Sequence, residues 1–269
     1  MAEKTVDVTT GEVNVTYKNL PMELERPQVE ESKSYIFIIA AVLIGTAIVL
    51  LLVRFRGYRL WKVWYFLSIF VCLTVAFAAF VHQFVAIGIA LLVALWKTYR
   101  PNFIVHNLAE IFLYGGLAAI FVPILNLWSA MILLVAISIY DMIAVWQSKH
   151  MVKMAKFQTQ SKVFAGLSIP YKLSMGKEKH AKKAKEKEEE GVVRSAILGG
   201  GDIGFPLLFA GVLLKTTGFL TVLIVPAFVS VALFLLLYFA KKDRFYPAMP
   251  FISIGCFVGY GVMWLVSML

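Results

Sequence analysis

Apolar runs recur along this chain at about 34–53, 63–80, 83–96, 103–121, 123–146, 194–214, 218–240 and 247–268, each with at most one acidic residue. Nothing else in the sequence constrains the fold as strongly. A helix needs about 20 mostly apolar residues to cross a bilayer, and every backbone N–H and C=O there must be paired inside the protein. The third run is short, so its helix is expected to tilt, extend at its ends or sit in thinned lipid. Of the 269 residues 60% are hydrophobic and only 16% charged, against about a quarter charged in soluble domains. These features predict an all-α polytopic membrane protein of about eight transmembrane helices and exclude a soluble enzyme.

Arg54, Arg56, Arg59 and Lys62 follow the first run, Lys97 and Arg100 the third, and Lys241, Lys242 and Arg244 the seventh, while a Lys-rich loop follows the fifth. The alternate loops hold only His82 and Lys215 as potential cations. Short cytoplasmic loops carry the excess of Lys and Arg, so both termini are expected outside and loop 147–193 in the cytoplasm. The lipid bilayer is then the expected partner, with no nucleic acid.

Four regions follow: an external polar segment 1–33, a five-helix membrane region 34–146, the basic loop 147–193 and a three-helix membrane region 194–269. Residues 5–17 alternate apolar and polar about a Thr-Gly turn, which predicts a β-hairpin. Asn14-Val15-Thr16 is a glycosylation triplet. The charge-dense run 177–190 reads as a solvated linker, whereas 162–174 has the residues of a short strand, confined by Pro170 to a sheet edge. An edge near a site can accept a partner strand. Cys72 and Cys256 lie in apolar runs and are expected to be small buried hydrophobes; no metal or cofactor is expected.

Glu110, Asp141 and Asp202 are the acidic residues within the runs. A charge in the bilayer is costly, so each is a candidate functional residue. At 1.5 Å per helical residue, Asp141 lies roughly 8–9 Å and Asp202 roughly 12 Å from the same membrane face. They sit on consecutive antiparallel runs at matched depth and can meet. Two carboxylates in one site share a single proton. One then takes a proton from an attacking water while the other polarises the scissile carbonyl and later helps protonate the leaving amine. The same carboxylates would equally suit a proton- or cation-coupled transporter, or acids bonded to free backbone groups. Gly199, Gly200 and Gly201 expose backbone beside Asp202 and weaken a helix. Pro206 removes the N–H that would bond the carbonyl of Asp202. Pro247-Ala248-Met249-Pro250 makes a third irregular element at the same end. Glu110, with His106 one turn earlier, is read first as bonding within the bundle and second as an accessory to the pair. Tyr140 is expected to pack beside the site.

Tyr140-Asp141, Gly199-Gly200-Gly201-Asp202 and Pro247-Ala248-Met249, in this order over roughly 123–268, resemble the presenilin and signal peptide peptidase family of GxGD intramembrane aspartyl proteases, most nearly its microbial homologues. The resemblance implies that Asp141 and Asp202 are the catalytic pair, that Gly199 and Gly201 shape the active-site backbone, and that Pro247, Ala248 and Met249 border substrate. Met249 stands where the family has leucine, a swap that keeps size and apolarity. The family has nine spans, so the first is the one expected to be absent here. The cytoplasmic placement of 147–193 is presenilin-like and implies single-span transmembrane peptide substrates with their N-termini outside. Oligomeric state is left open.

Overall fold

A computed structural model describes residues 2–6, 13–17, 20–21, 29–100, 102–147, 154, 157–158, 161, 163–170, 195–239 and 246–268. The charge-dense run 177–190 lies outside them. Among the described residues eight helices run in order: α1 (Ser34–Arg54), α2 (Tyr58–Phe77), α3 (Gln83–Tyr99), α4 (Phe103–Phe121), α5 (Leu127–Met142), α6 (Gly200–Thr216), α7 (Phe219–Phe239) and α8 (Met249–Met268). Six of them, all but α3 and α6, are long and apolar enough to cross a membrane, and the chain has an all-α polytopic membrane fold. The described residues also form two short antiparallel ribbons: β1 (Ala2–Val6) with β2 (Val13–Tyr17), and β3 (Gly166–Pro170) with β4 (Ser195–Gly199).

Polar side chains set several helix starts. The Asn102 side-chain oxygen accepts the Ile104 N–H at 3.1 Å to open α4, and Asn126 accepts the Ser129 N–H at 2.7 Å to open α5. Each satisfies a donor that has no partner within its own helix. At the end where α5 begins, Lys215 donates to the carbonyls of Pro123 and Leu125 at 3.2 and 2.7 Å and lies 3.7 Å from a Glu31 carboxylate oxygen.

Two apolar cores divide the bundle. One joins α1, α5, α6, α7 and α8 around Leu134, Phe209, Val225 and Cys256. The other joins the end of α1 to α2 and α3 around Trp61, Ile69, Leu73 and Ala90. Helix α4 packs against α2 and α6 and so links the two. Gly255 and Gly259, four apart on α8, let α7 approach closely: a Cβ at Gly259 would stand 2.9 Å from the Val225 Cα. Small residues at this spacing are a common membrane-helix contact.

Two boundaries differ from the sequence reading, and both matter for the site. The sixth helix starts at Gly200 rather than near 194, because 195–199 extend as β4 against β3. Three successive glycines are poor helix formers, so the apolar run divides between strand and helix. Likewise α3 runs to Tyr99, which carries Lys97 into the bundle instead of the adjoining loop. Lys97 is buried and forms an ion pair with Glu110, so it drops out of the count of loop charges and leaves Arg100 there.

Candidate active site

Asp141 lies one residue before the end of α5, where the helix widens into a π-turn at Ile143–Gln147. Its carboxylate is half-buried and accepts the Met249 N–H at 3.1 Å, with the Ala248 N–H as a second donor. These are the first free donors of α8, which begins at Met249. An anion is favoured there by unpaired N–H groups and by the helix dipole together. The flanking prolines, Pro247 and Pro250, have no N–H to offer and fit a helix start. Pro247 and Met249 are buried. The Pro-Ala-Met element thus presents backbone to Asp141 rather than side-chain chemistry.

A serine pair holds this register. Ser138, one turn before Asp141, donates to the Leu134 carbonyl at 2.7 Å and meets the Ser253 hydroxyl at 2.8 Å. The Ser253 hydroxyl also lies 3.4 Å from the same Leu134 carbonyl, so the two serines and that carbonyl form one cluster. The contact ties α5 to α8 four residues beyond Met249.

Asp202 is the third residue of α6, half-buried, and takes the backbone N–H of Gly199, the N-cap residue. An acidic side chain at this position reaching back to the cap N–H is one half of a capping box. A Cβ on Gly199 would lie 3.1 Å from the Asp202 Oδ2, so a side chain there would crowd the carboxylate. Pro206 sits inside α6 and is buried, leaving the Asp202 carbonyl without its usual helical donor. Helices α5 and α6 pack together, and Asp141 and Asp202 lie within electrostatic range of each other.

Beside the start of α6 is a cavity of about 470 Å³, lined among others by Tyr114, Phe164, Ala165, Gly199, Gly200 and Gly201. Neither aspartate is among its lining residues; the cavity lies against the glycine side of the α6 start. Its far wall is the approach to β3, which two bundle side chains anchor. The Tyr65 hydroxyl donates to the Phe164 carbonyl at 2.6 Å, and His106 Nε2 donates to the Gly166 carbonyl at 2.8 Å. Gly166 itself has φ +142°, and a Cβ would come within 2.2 Å of the Leu198 carbonyl oxygen. Only glycine fits that junction.

The remaining candidates lie further off. The Tyr140 hydroxyl is 2.9 Å from Thr46 Oγ1 on α1, and Thr46 donates its own proton to Val42. Tyr140 therefore fastens α5 to α1. Glu110 is fully buried on α4 and paired with Lys97, whose ammonium also lies 5.9 Å from the Tyr65 ring centre. Among the described residues no three His, Cys, Asp or Glu side chains converge as a metal site would require. Ser138, Ser253 and Tyr114 escaped the sequence reading. Only Tyr114 had a signal to find it, a hydroxyl one helical turn after Glu110.

The family model described as signal-peptide peptidase, presenilin aspartyl protease matches residues 12–269. Two solved structures, each described as a presenilin family intramembrane aspartate protease and determined in different space groups, share the fold. One is 20% identical with a TM-score of 0.58, covering 87% of this chain and 87% of the other. The second is 21% identical with a TM-score of 0.59, covering 90% of this chain and 87% of the other. At those identities the likeness is one of fold. Among curated proteins none matches.

Proposed function

Because the chain belongs to the signal-peptide peptidase, presenilin aspartyl protease family, we propose that it hydrolyses peptide bonds within single-span transmembrane substrates, with Asp141 and Asp202 as a GxGD-type catalytic pair. The observation that carries this reading is the pairing itself: packing of α5 on α6 brings within electrostatic range two carboxylates that are 61 positions apart. Both carry main-chain donors, from Ala248 and Met249 on one side and Gly199 on the other.

The two carboxylates hold one proton between them. Asp141, with two N–H groups on its carboxylate, suits the role of ionised member that takes a proton from water as the water attacks the scissile carbonyl. Asp202, carrying the shared proton, polarises that carbonyl and then passes a proton to the leaving amine. A peptide bond in a helix is shielded, so the substrate must unwind. The bare backbone of Gly199–Gly201 and the cavity beside it give an extended segment room to lie. Gly199, Gly201 and Pro247–Met249 act here by shape and backbone donors.

In this reading loop 147–193 is cytoplasmic, both termini are outside and substrates enter with their N-termini outside. The remaining basic residues at or near the ends of the apolar runs, Arg54, Arg56, Arg59, Lys62, Arg100, Lys241, Lys242 and Arg244, support that orientation, and labelling of single introduced cysteines from each side tests it. Activity is tested with a purified single-span peptide in detergent. Asp141→Ala and Asp202→Ala each reduce cleavage by at least roughly 10²–10⁴-fold, the range for loss of a general acid or base. Normal cutting by both variants refutes the assignment. Acid-dependent ion flux in liposomes without proteolysis would instead return the transporter reading.

A further inference from the structure

Tyr114 is 5% exposed and lines the cavity beside Gly200; its hydroxyl has no partner at full hydrogen-bonding distance, and the side chain within interaction range of it is Glu110. Buried hydroxyls are rarely left unpaired in native structures, and each exception calls for a reason. The oxygen lies 3.1 Å from where a Cβ on Gly200 would stand, so it occupies space that the glycine leaves open. One turn earlier on the same face of α4 is Glu110. Its Oε1 takes the Lys97 ammonium, while its Oε2 is buried without a hydrogen-bond partner. Glu110 and the Tyr114 hydroxyl thus lie within interaction range of each other, with Tyr114 between Glu110 and the cavity it lines.

Building on the protease reading above, we propose that Tyr114 is a positioning residue that accepts one backbone N–H of the unwound substrate while its own proton is held by Glu110 Oε2. The chemistry of the two oxygens selects this polarity. Glu110, paired with an ammonium, is an acceptor only, and a phenol has one proton to give. Were that proton given to a substrate carbonyl, Glu110 Oε2 would stay buried and unpaired, the costlier arrangement for a charged group. Given to Glu110, it leaves the phenolic lone pairs directed at the cavity. An extended strand along Gly199–Gly201 presents N–H groups at intervals to its flank. Of the other side chains lining the cavity, Leu117, Phe164, Phe205 and Leu208 have no acceptor to give and Gln158 has an amide oxygen, so the ester series read in Tyr114→Phe separates the two acceptors. Lys97 and Glu110 act through Tyr114 by fixing where its oxygen points.

Such a contact is made equally in the bound substrate and in the transition state, so its loss appears in KM with kcat retained. The test pairs Tyr114→Phe with a series of substrates in which single peptide N–H groups are replaced by ester oxygens. One position is expected to raise KM for the wild-type protein by about five- to tenfold, the worth of one hydrogen bond. Tyr114→Phe raises KM on the parent peptide by the same factor and shows no further loss on that ester. Comparing two substrates on one protein cancels any change in folded fraction. If every ester penalty persists undiminished in Tyr114→Phe, or if its KM on the parent peptide is unchanged, the role fails while cleavage dependent on Asp141 and Asp202 stands. If the wild-type protein cuts no parent peptide, the protease reading fails first and takes this inference with it.

Discussion

Replacing Glu110 with leucine while Lys97 stays in place tests how the buried ion pair is built into the fold. Both side chains are fully enclosed, at 0% exposure each. The variant leaves an ammonium inside the bundle with the Tyr65 ring, 5.9 Å away, as its remaining attraction. Breaking a buried pair by removing one partner costs about 3–5 kcal/mol, and a desolvated cation over an aromatic ring returns about 1–2 kcal/mol. The net expectation is a loss of about 1–4 kcal/mol. Lys97→Met combined with Glu110→Leu removes both charges and keeps much of the volume, so its stability should equal the wild type or exceed it. The assay is reversible denaturant unfolding in mixed micelles, with the two single variants, the double variant and the wild type forming a cycle. A Glu110→Leu protein within 0.5 kcal/mol of wild type, or a double variant as unstable as the single, would refute the reasoning. The double variant has a second use. It keeps the fold but removes the acceptor of the Tyr114 proton, so its KM should rise as it does in Tyr114→Phe.

Gly166→Ala forces a side chain onto a left-handed backbone and into the Leu198 carbonyl; the expected result is loss of the β3–β4 ribbon at a local cost of roughly 1–3 kcal/mol, seen as fast amide exchange at 195–199 with α2 and α3 still protected. Ser253→Ala removes the tie between α5 and α8 and should cost about 1 kcal/mol in unfolding free energy, with a drop in kcat as the Met249 N–H drifts from Asp141. Gly259→Leu overfills the contact between α7 and α8 and should destabilise by about 1–3 kcal/mol in the same micelle assay. The kcat profile of the wild type should be bell-shaped in pH, since a pair sharing one proton is inactive both when doubly protonated and when doubly ionised; a flat profile across the range in which carboxylates titrate would oppose the shared-proton scheme.

How much of this was legible beforehand differs by residue. Asp141, Asp202, the glycines and the Pro-Ala-Met element all stood out because a bilayer makes each of them locally improper: a charge or a broken helix is conspicuous in a run that otherwise reads as lipid-soluble. Glu110 stood out for the same reason, yet its partner did not. Lys97 falls at the end of a run, where a cation is equally at home in a cytoplasmic loop, and only the extension of α3 to Tyr99 draws it inside. The start of α6 was misplaced because an apolar run tolerates strand or helix alike, and the choice rested on β3, some 30 residues away, being there to pair with it.

The sequence by itself determined that this chain lives in a bilayer, roughly where it crosses, and which carboxylates break the rule of the medium. Those facts follow from matching each segment to its solvent, which is a local property. The tertiary structure alone decided that Asp141 receives the N–H groups of residues 248 and 249, that Ser138 finds Ser253, that His106 holds the Gly166 carbonyl, and that Tyr114 lines a cavity with Glu110 within interaction range of its hydroxyl. Each joins helices or strands 60 or more positions apart, or depends on what other helices enclose. Such contacts are set by how packed helices approach one another, and no periodicity along the chain records that distance.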